Sequence, residues 1–287
     1  MSDRPKGTWV RRSSRTARHP YRSVLVTGAS SGIGRAVALA YAAPDIHLAL
    51  TGRDAARLDG VAAEARSRGA SVSAETLDVR ARDAIGRWIR AIDDGHPIDL
   101  AVTGAGIATG LGMGRPREDP REMRAAIATN YLGVLNTVEP LVERMCARGR
   151  GRVALVGSLG GIRGVPYMPT YCATKAAIHV YAEGLRCSLA PFGVGVSLII
   201  PGFVRTPMLE NVVAPRPPLL MSPEKAARII RRRLDRGAAV IAFPRSLYYG
   251  LKVINVLPRR LTDFAFSSYH VDIPESSEHE IQADGER

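Results

Sequence analysis

Cysteine is scarce in this 287-residue chain. Cys146, Cys172 and Cys187 are odd in number and have neither CxxC nor metal-ligand spacing. That excludes a disulfide framework and a structural metal site, and it fits a reducing compartment, the cytoplasm. Aromatic residues make up only 6%, and the basic stretches lack a glycine-aromatic RNA signature, zinc ligands and basic heptads. No nucleic-acid partner is expected, despite a formal net charge of +13. No run of eighteen apolar residues occurs, so no membrane-crossing helix is expected. The N-terminal stretch has no apolar segment, which argues against a secretory signal there.

What is present suffices for one sizeable core: 46% of the residues are hydrophobic. The charge is uneven. Residues 1–22 hold seven basic residues against Asp3, a net +6, and residues 223–266 hold ten against Glu224, Asp235 and Asp263, a net +7. The expected organisation is a solvated basic tail over 1–22, a single catalytic domain over 23–245, and an amphipathic extension with an acidic end over 246–287.

From Ser23 onward, short apolar runs alternate with helix-period segments, the pattern of a parallel sheet covered on both faces. Six strands are predicted: Val24 to Thr27, Ile46 to Leu50, Val72 to Leu77, Leu100 to Thr103, Val153 to Val156 and Gly195 to Ile200. Ala238 to Phe243 is a seventh candidate. Right-handed crossovers build these into a Rossmann-like, doubly wound α/β fold with its ligand crevice at the carboxyl ends of the strands.

The first strand runs into Thr27-Gly28-Ala29-Ser30-Ser31-Gly32-Ile33-Gly34, followed by an alanine-rich helix through Ala43. Glycines here let the backbone approach a pyrophosphate while the helix N-terminus points free N–H groups at it. Tyr171 and Lys175 stand at i and i+4, on one face of a predicted helix. A phenol is a poor proton shuttle at neutral pH, and a neighbouring ammonium is expected to lower its pKa. Ser158 lies thirteen positions earlier, just past an apolar strand, and Asn130 stands within Asn130-Tyr131-Leu132-Gly133.

Together these motifs resemble the short-chain dehydrogenase/reductase family over about residues 22 to 245. The resemblance implies hydride transfer between a nicotinamide dinucleotide and a carbonyl or alcohol, in the reductive direction. Tyr171 would be the acid-base group and Ser158 would orient the substrate oxygen. Lys175 would hold the nicotinamide ribose and tune Tyr171, with Asn130 holding a water behind it. The cofactor would meet Gly28, Ser30, Ser31, Gly32, Ile33 and Gly34, then Asp78 and Val79 at the adenine. Further along it would meet Gly104, Ala105 and Gly106, together with Tyr171 and Lys175. Pro201, Gly202, Val204 and Thr206 would support the nicotinamide.

Where family members using NAD usually have an acid, this chain has Gly52. The following Arg53 suits a 2′-phosphate, so NADP(H) is expected over NAD(H), with Asp54 beside it as a counter-indication. One departure stands out: Thr103-Gly104 replaces the usual asparagines after the fourth strand, and their amide hydrogen bonds are lost with them.

Pro207 to Ser222 has the position of a substrate lid. Its Met208, Leu209, Val212, Val213, Leu219, Leu220 and Met221 favour an apolar substrate. The basic, amphipathic stretch from Phe243 to Phe266 is expected to cover the active site or a partner subunit, with contact to an anionic membrane the less favoured alternative. The resemblance also implies a homodimer or homotetramer through helices near Asn130 and Lys175. Two rival functions stay open at this point: a dinucleotide-binding sensor without turnover, and an epimerase or dehydratase on the same fold.

Overall fold

The computed structural model describes residues 20–111, 116–210, 217–258 and 260–263. Most of the basic tail, the acidic end, Val212, Val213 and Arg259 lie outside the described residues. Seven parallel strands form one sheet: β1 (Ser23–Thr27), β2 (His47–Gly52), β3 (Ser71–Thr76), β4 (Leu100–Thr103), β5 (Gly151–Val156), β6 (Val194–Pro201) and β7 (Val240–Phe243). Their order is β3-β2-β1-β4-β5-β6-β7. All seven expected runs are strands, with ends shifted by no more than two residues.

Period-2 geometry sorts each strand between two cores. Val24, Val26, Leu48 and Leu50 join Val37, Leu58 and Ile230 on one face, which is covered by α1 (Gly32–Tyr41), α2 (Ala55–Ser67) and α8 (Pro223–Leu234). Leu25, Ala49, Val153 and Leu155 turn to the other, packing on Ile89, Val138, Leu141 and Ile178 of α3 (Arg82–Gly95), α5 (Gly133–Arg148) and α6 (Pro169–Leu189). Burial on both sides explains why β1 is apolar at its three central residues and wholly buried. Edge strand β3 differs, presenting Ser71, Ser73 and Glu75 alternately.

Side-chain caps start three of the helices. Asp54 accepts the Arg57 N–H at 2.9 Å to begin α2, Asp119 accepts that of Arg121 at 2.7 Å to begin α4 (Pro120–Ile127), and Ser222 accepts that of Lys225 at 3.3 Å to begin α8. On the second face, buried Asp93 clamps α3 to α5. It accepts hydrogen bonds from Arg144 Nε and Arg148 Nη1 at 2.6 Å each, and from the Ile98 N–H at 2.8 Å. Burial alone would raise its pKa, but these bonds outweigh burial and lower it.

Strands β1 and β4 are neighbours in space but not in sequence, so the loops leaving their carboxyl ends diverge and open a crevice. The far side of that crevice is walled by the short α7 (Pro207–Glu210) and by α9 (Arg245–Ile254), whose Leu247, Tyr248 and Leu251 pack inward. Arg163 holds the segment beyond α9, donating to Thr262 Oγ1 at 2.7 Å and pairing with Asp263 at 2.9 Å. Among the described residues no helix is long and apolar enough to cross a membrane.

Candidate active site

A cleft of about 780 Å³ opens at the carboxyl ends of the strands. Its lining includes every expected cofactor residue and three of the four expected catalytic ones, Ser158, Tyr171 and Lys175. Asn130 does not line it. This side chain is fully buried behind the cleft wall.

At one end lies the turn into α1. Gly28 has φ +66°, and a Cβ there would sit 2.6 Å from the Ala105 backbone nitrogen, so the loops after β1 and β4 touch only because glycine is present. Ser31 begins α1 without a side-chain cap, and the first turn of that helix has no acid. The other long helices of this face, α2 and α8, are capped, whereas α1 has no side-chain cap.

Arg53 is exposed at the same end, where its charge helps lower the pKa of Asp78. Asp54, the counter-indication in the sequence, is committed to Arg57 through both its side chain and its capping bond. Arg57 lines the cleft as well, one helical turn from Arg53. A Cβ at Gly52 would lie 2.9 Å from Ser30 Oγ, so a side chain there would have to displace the Ser30 hydroxyl. Asp78 accepts the Arg80 N–H and Nε at 2.9 Å each. Burial raises its pKa, but the Arg80 bonds and the nearby positive charges of Arg80 and Arg53 lower it overall.

The departure at Thr103-Gly104 has a steric reason. A Cβ at Gly104 would approach the Thr27 carbonyl oxygen to 2.6 Å, so this backbone cannot take the usual asparagine. In place of an amide, Thr27 Oγ1 accepts the Ala105 N–H at 3.4 Å. The buried Thr103 hydroxyl has no hydrogen-bond partner.

Across the cleft, Ser158 follows β5, and its oxygen accepts the Gly160 N–H at 3.1 Å. The Tyr171 phenol lies close enough to the Ser158 hydroxyl for its pKa to feel it. Tyr171 and Lys175 occupy one face of α6. Its start is held by the buried carboxylate of Glu118, which accepts from the Thr170 N–H at 3.3 Å and from its hydroxyl at 2.5 Å. Lys175 Nζ donates to the Val156 carbonyl at 3.1 Å and stands 5.8 Å from the centroid of the Tyr171 ring. Burial depresses its pKa to about 8.

The expected lowering of the Tyr171 pKa is not what this geometry gives. Burial raises it, and the neighbouring Ser158 hydroxyl opposes that only in part. The Asn130 side chain is held within the fold. Its Oδ1 accepts the Ile107 N–H at 2.8 Å, and its Nδ2 donates to the Ile107 carbonyl at 2.9 Å and to Thr174 Oγ1 at 3.2 Å. A π-helical turn, Ala128–Leu132, presents it.

His179 is a site residue that motif reading passed over. Its Nε2 accepts the Ser158 N–H at 3.4 Å, which requires the neutral ring, and burial together with the Lys175 charge lowers its pKa to about 4. Cβ atoms at Gly157 and Gly161 would come within 2.5 and 2.8 Å of that nitrogen, so both glycines make room for the imidazole. Helical spacing was the available signal: His179 is four residues past Lys175 and eight past Tyr171. Arg57, Arg163, Leu247 and Leu251 also line the cleft and were missed as site residues. Of the expected lid, Met208 and Leu209 face the cleft. Met221 packs on the core, while Leu219 and Leu220 point to solvent.

The model of the short chain dehydrogenase family matches residues 22–217. An uncharacterized oxidoreductase of Myxococcus xanthus is 36% identical over 247 residues, 85% of this chain and 96% of that protein. A very-long-chain 3-oxoacyl-CoA reductase of Phaeosphaeria nodorum is 27% identical, covering 85% of this chain and 69% of its own. Among solved structures, a short-chain dehydrogenase from Sphingobium yanoikuyae in complex with NADPH superposes with a TM-score of 0.71 at 25% identity, over 90% of this chain and 99% of that one. The chain belongs to the short chain dehydrogenase family, a family of oxidoreductases.

Proposed function

We propose that this protein reduces an apolar carbonyl substrate with NADP(H), by way of Ser158, Tyr171 and Lys175. One observation carries the reading. These three side chains share a cleft with an uncapped helix N-terminus, and two arginines stand at the cleft's far edge. The similarity to a solved NADPH complex supports the cofactor class. Arg53 and Arg57 favour the phosphorylated form, because guanidinium groups form charge-assisted bonds with a phosphate. The residues fit such a group, since the glycine turn leaves backbone donors open where a pyrophosphate would lie.

When bound, the nicotinamide supplies hydride to the substrate carbon. The chain handles the oxygen. Because Ser158 Oγ already accepts from Gly160, its proton is available to the substrate oxygen. Tyr171, which lines the same cleft as Ser158, would meet the same oxygen and holds its proton well into the alkaline range, as a donor should. Lys175 holds the nicotinamide ribose hydroxyls and stabilises the phenolate left after proton transfer. Asn130 braces the loop at Ile107 and, through Thr174, the helix that bears Tyr171.

Leu159, Met168, Met208, Leu247 and Leu251 make the substrate end of the cleft apolar. Together with the similarity to a very-long-chain 3-oxoacyl-CoA reductase, this favours ketones or 3-oxoacyl thioesters with hydrocarbon tails. The test is a panel of such compounds with NADPH and NADH, followed by nicotinamide absorbance. Tyr171→Phe is expected to bind NADPH as the parent does and to lose about 10²–10⁴ in turnover. Undiminished turnover in that variant would remove Tyr171 from the reaction.

A further inference from the structure

The outer face of α9 is not used by the cleft. Leu247 and Leu251 turn inward to line it, whereas Arg245, Tyr249, Lys252, Val253 and Val256 recur on the opposite side at helical spacing. Tyr249 is 52% exposed, Val253 62% and Val256 82%. Leu261, at 62%, extends this apolar set past the helix end, with Arg260 exposed beside it.

The charge here has one sign. No acidic residue occurs between Asp235 and Asp263, and Asp263 is paired with Arg163. Arg245 lies over the Tyr249 ring at 5.7 Å and Lys252 over the Tyr248 ring at 5.4 Å. Neither is in a salt bridge among the described residues. Large apolar side chains interleaved with unneutralised cations are what an interfacial helix offers to lipid, with hydrocarbon below the headgroups and ammonium or guanidinium at the phosphates. A second copy of the chain is a poor occupant, because a twofold contact would set Arg245, Lys252 and Arg260 against themselves.

We infer that the outer face of α9 and the turn after it dock on an anionic lipid surface. Tyr249, Val253, Val256 and Leu261 enter the headgroup layer, and Arg245, Lys252 and Arg260 lie against its phosphates. This is independent of the proposed reaction.

The test is co-sedimentation of the full chain with vesicles of phosphatidylserine and phosphatidylcholine, and with phosphatidylcholine alone. Binding to the mixed vesicles only is expected. Val253→Ser/Val256→Ser should weaken it about tenfold, since little of either side chain is packed in the fold and both would be buried in lipid. Arg245→Gln/Lys252→Gln should weaken it about tenfold or more, at about 1 kcal/mol per cation. Both variants should keep the parent's melting temperature.

Two results overturn the proposal: no binding to either vesicle, or binding that salt abolishes but Val253→Ser/Val256→Ser leaves unchanged. The latter would assign the attraction to basic residues elsewhere, such as those of positions 1–22. Loss of a dimer in the same valine variant, read by light scattering, would assign the face to a second copy and also overturn it.

Discussion

At the scale of single residues, the proposed cofactor preference rests on two charges. Arg53 and Arg57 line the cleft, and Asp54 is bonded to Arg57. Removing a charge-assisted hydrogen bond costs about 1.5–3 kcal/mol, so Arg53→Ala should lower kcat/KM with NADPH by roughly ten- to a hundredfold while leaving the NADH value nearly unchanged. Equal losses with both cofactors would rule out the phosphate role.

Lys175 sets the second expectation. Its folded-state pKa of about 8 lies below the ordinary 10.5, so the free enzyme loses the ammonium as pH rises through 8. The Tyr171 phenol, raised above 10, stays protonated through the same range. For NADPH, kcat/KM should therefore be level below pH 8 and fall above it, with the loss assigned to Lys175. A profile that stays level to pH 10 would refute that assignment.

Elements decide how the residues meet, and they also mark what a sequence can disclose. Gly28, Gly32, Gly34, Tyr171 and Lys175 were legible because a turn or a single helix fixes their relation within a few positions. His179 shares the helix face of Tyr171 and Lys175, but its use depends on Gly157 and Gly161 arriving from the β5 loop. Leu247 and Leu251 reach the cleft only because α9 folds back across it. The rise in the Tyr171 pKa was illegible for a related reason, since burial is set by every element packed around the hydroxyl.

Gly104 belongs to this scale as well, because the carboxyl ends of β1 and β4 meet there. Gly104→Asn should destabilise the fold by about 1–3 kcal/mol, through overlap with the Thr27 carbonyl. Urea unfolding that returns an unchanged midpoint would mean that the backbone shifts to admit the amide.

At the scale of the whole molecule, the sheet is legible from end to end because both faces are covered and its strands therefore read as apolar runs. Assembly is less legible, since it depends on which apolar side chains are left outside. Ile127, Leu132, Val180 and Phe192 are exposed on α4, the π turn, α6 and the turn after α6. This is the region where the family resemblance implied a subunit contact. We expect a dimer or tetramer by light scattering, and Val180→Asp/Phe192→Asp should shift it to a smaller species with the fold intact. A monomeric parent would exclude this interface.

The clasp at Arg163 ties a loop close to Ser158 to a carboxylate a hundred positions later. Because α9 also lends Leu247 and Leu251 to the cleft, that wall is anchored from beyond its own carboxyl end by a bond to the loop that follows Ser158.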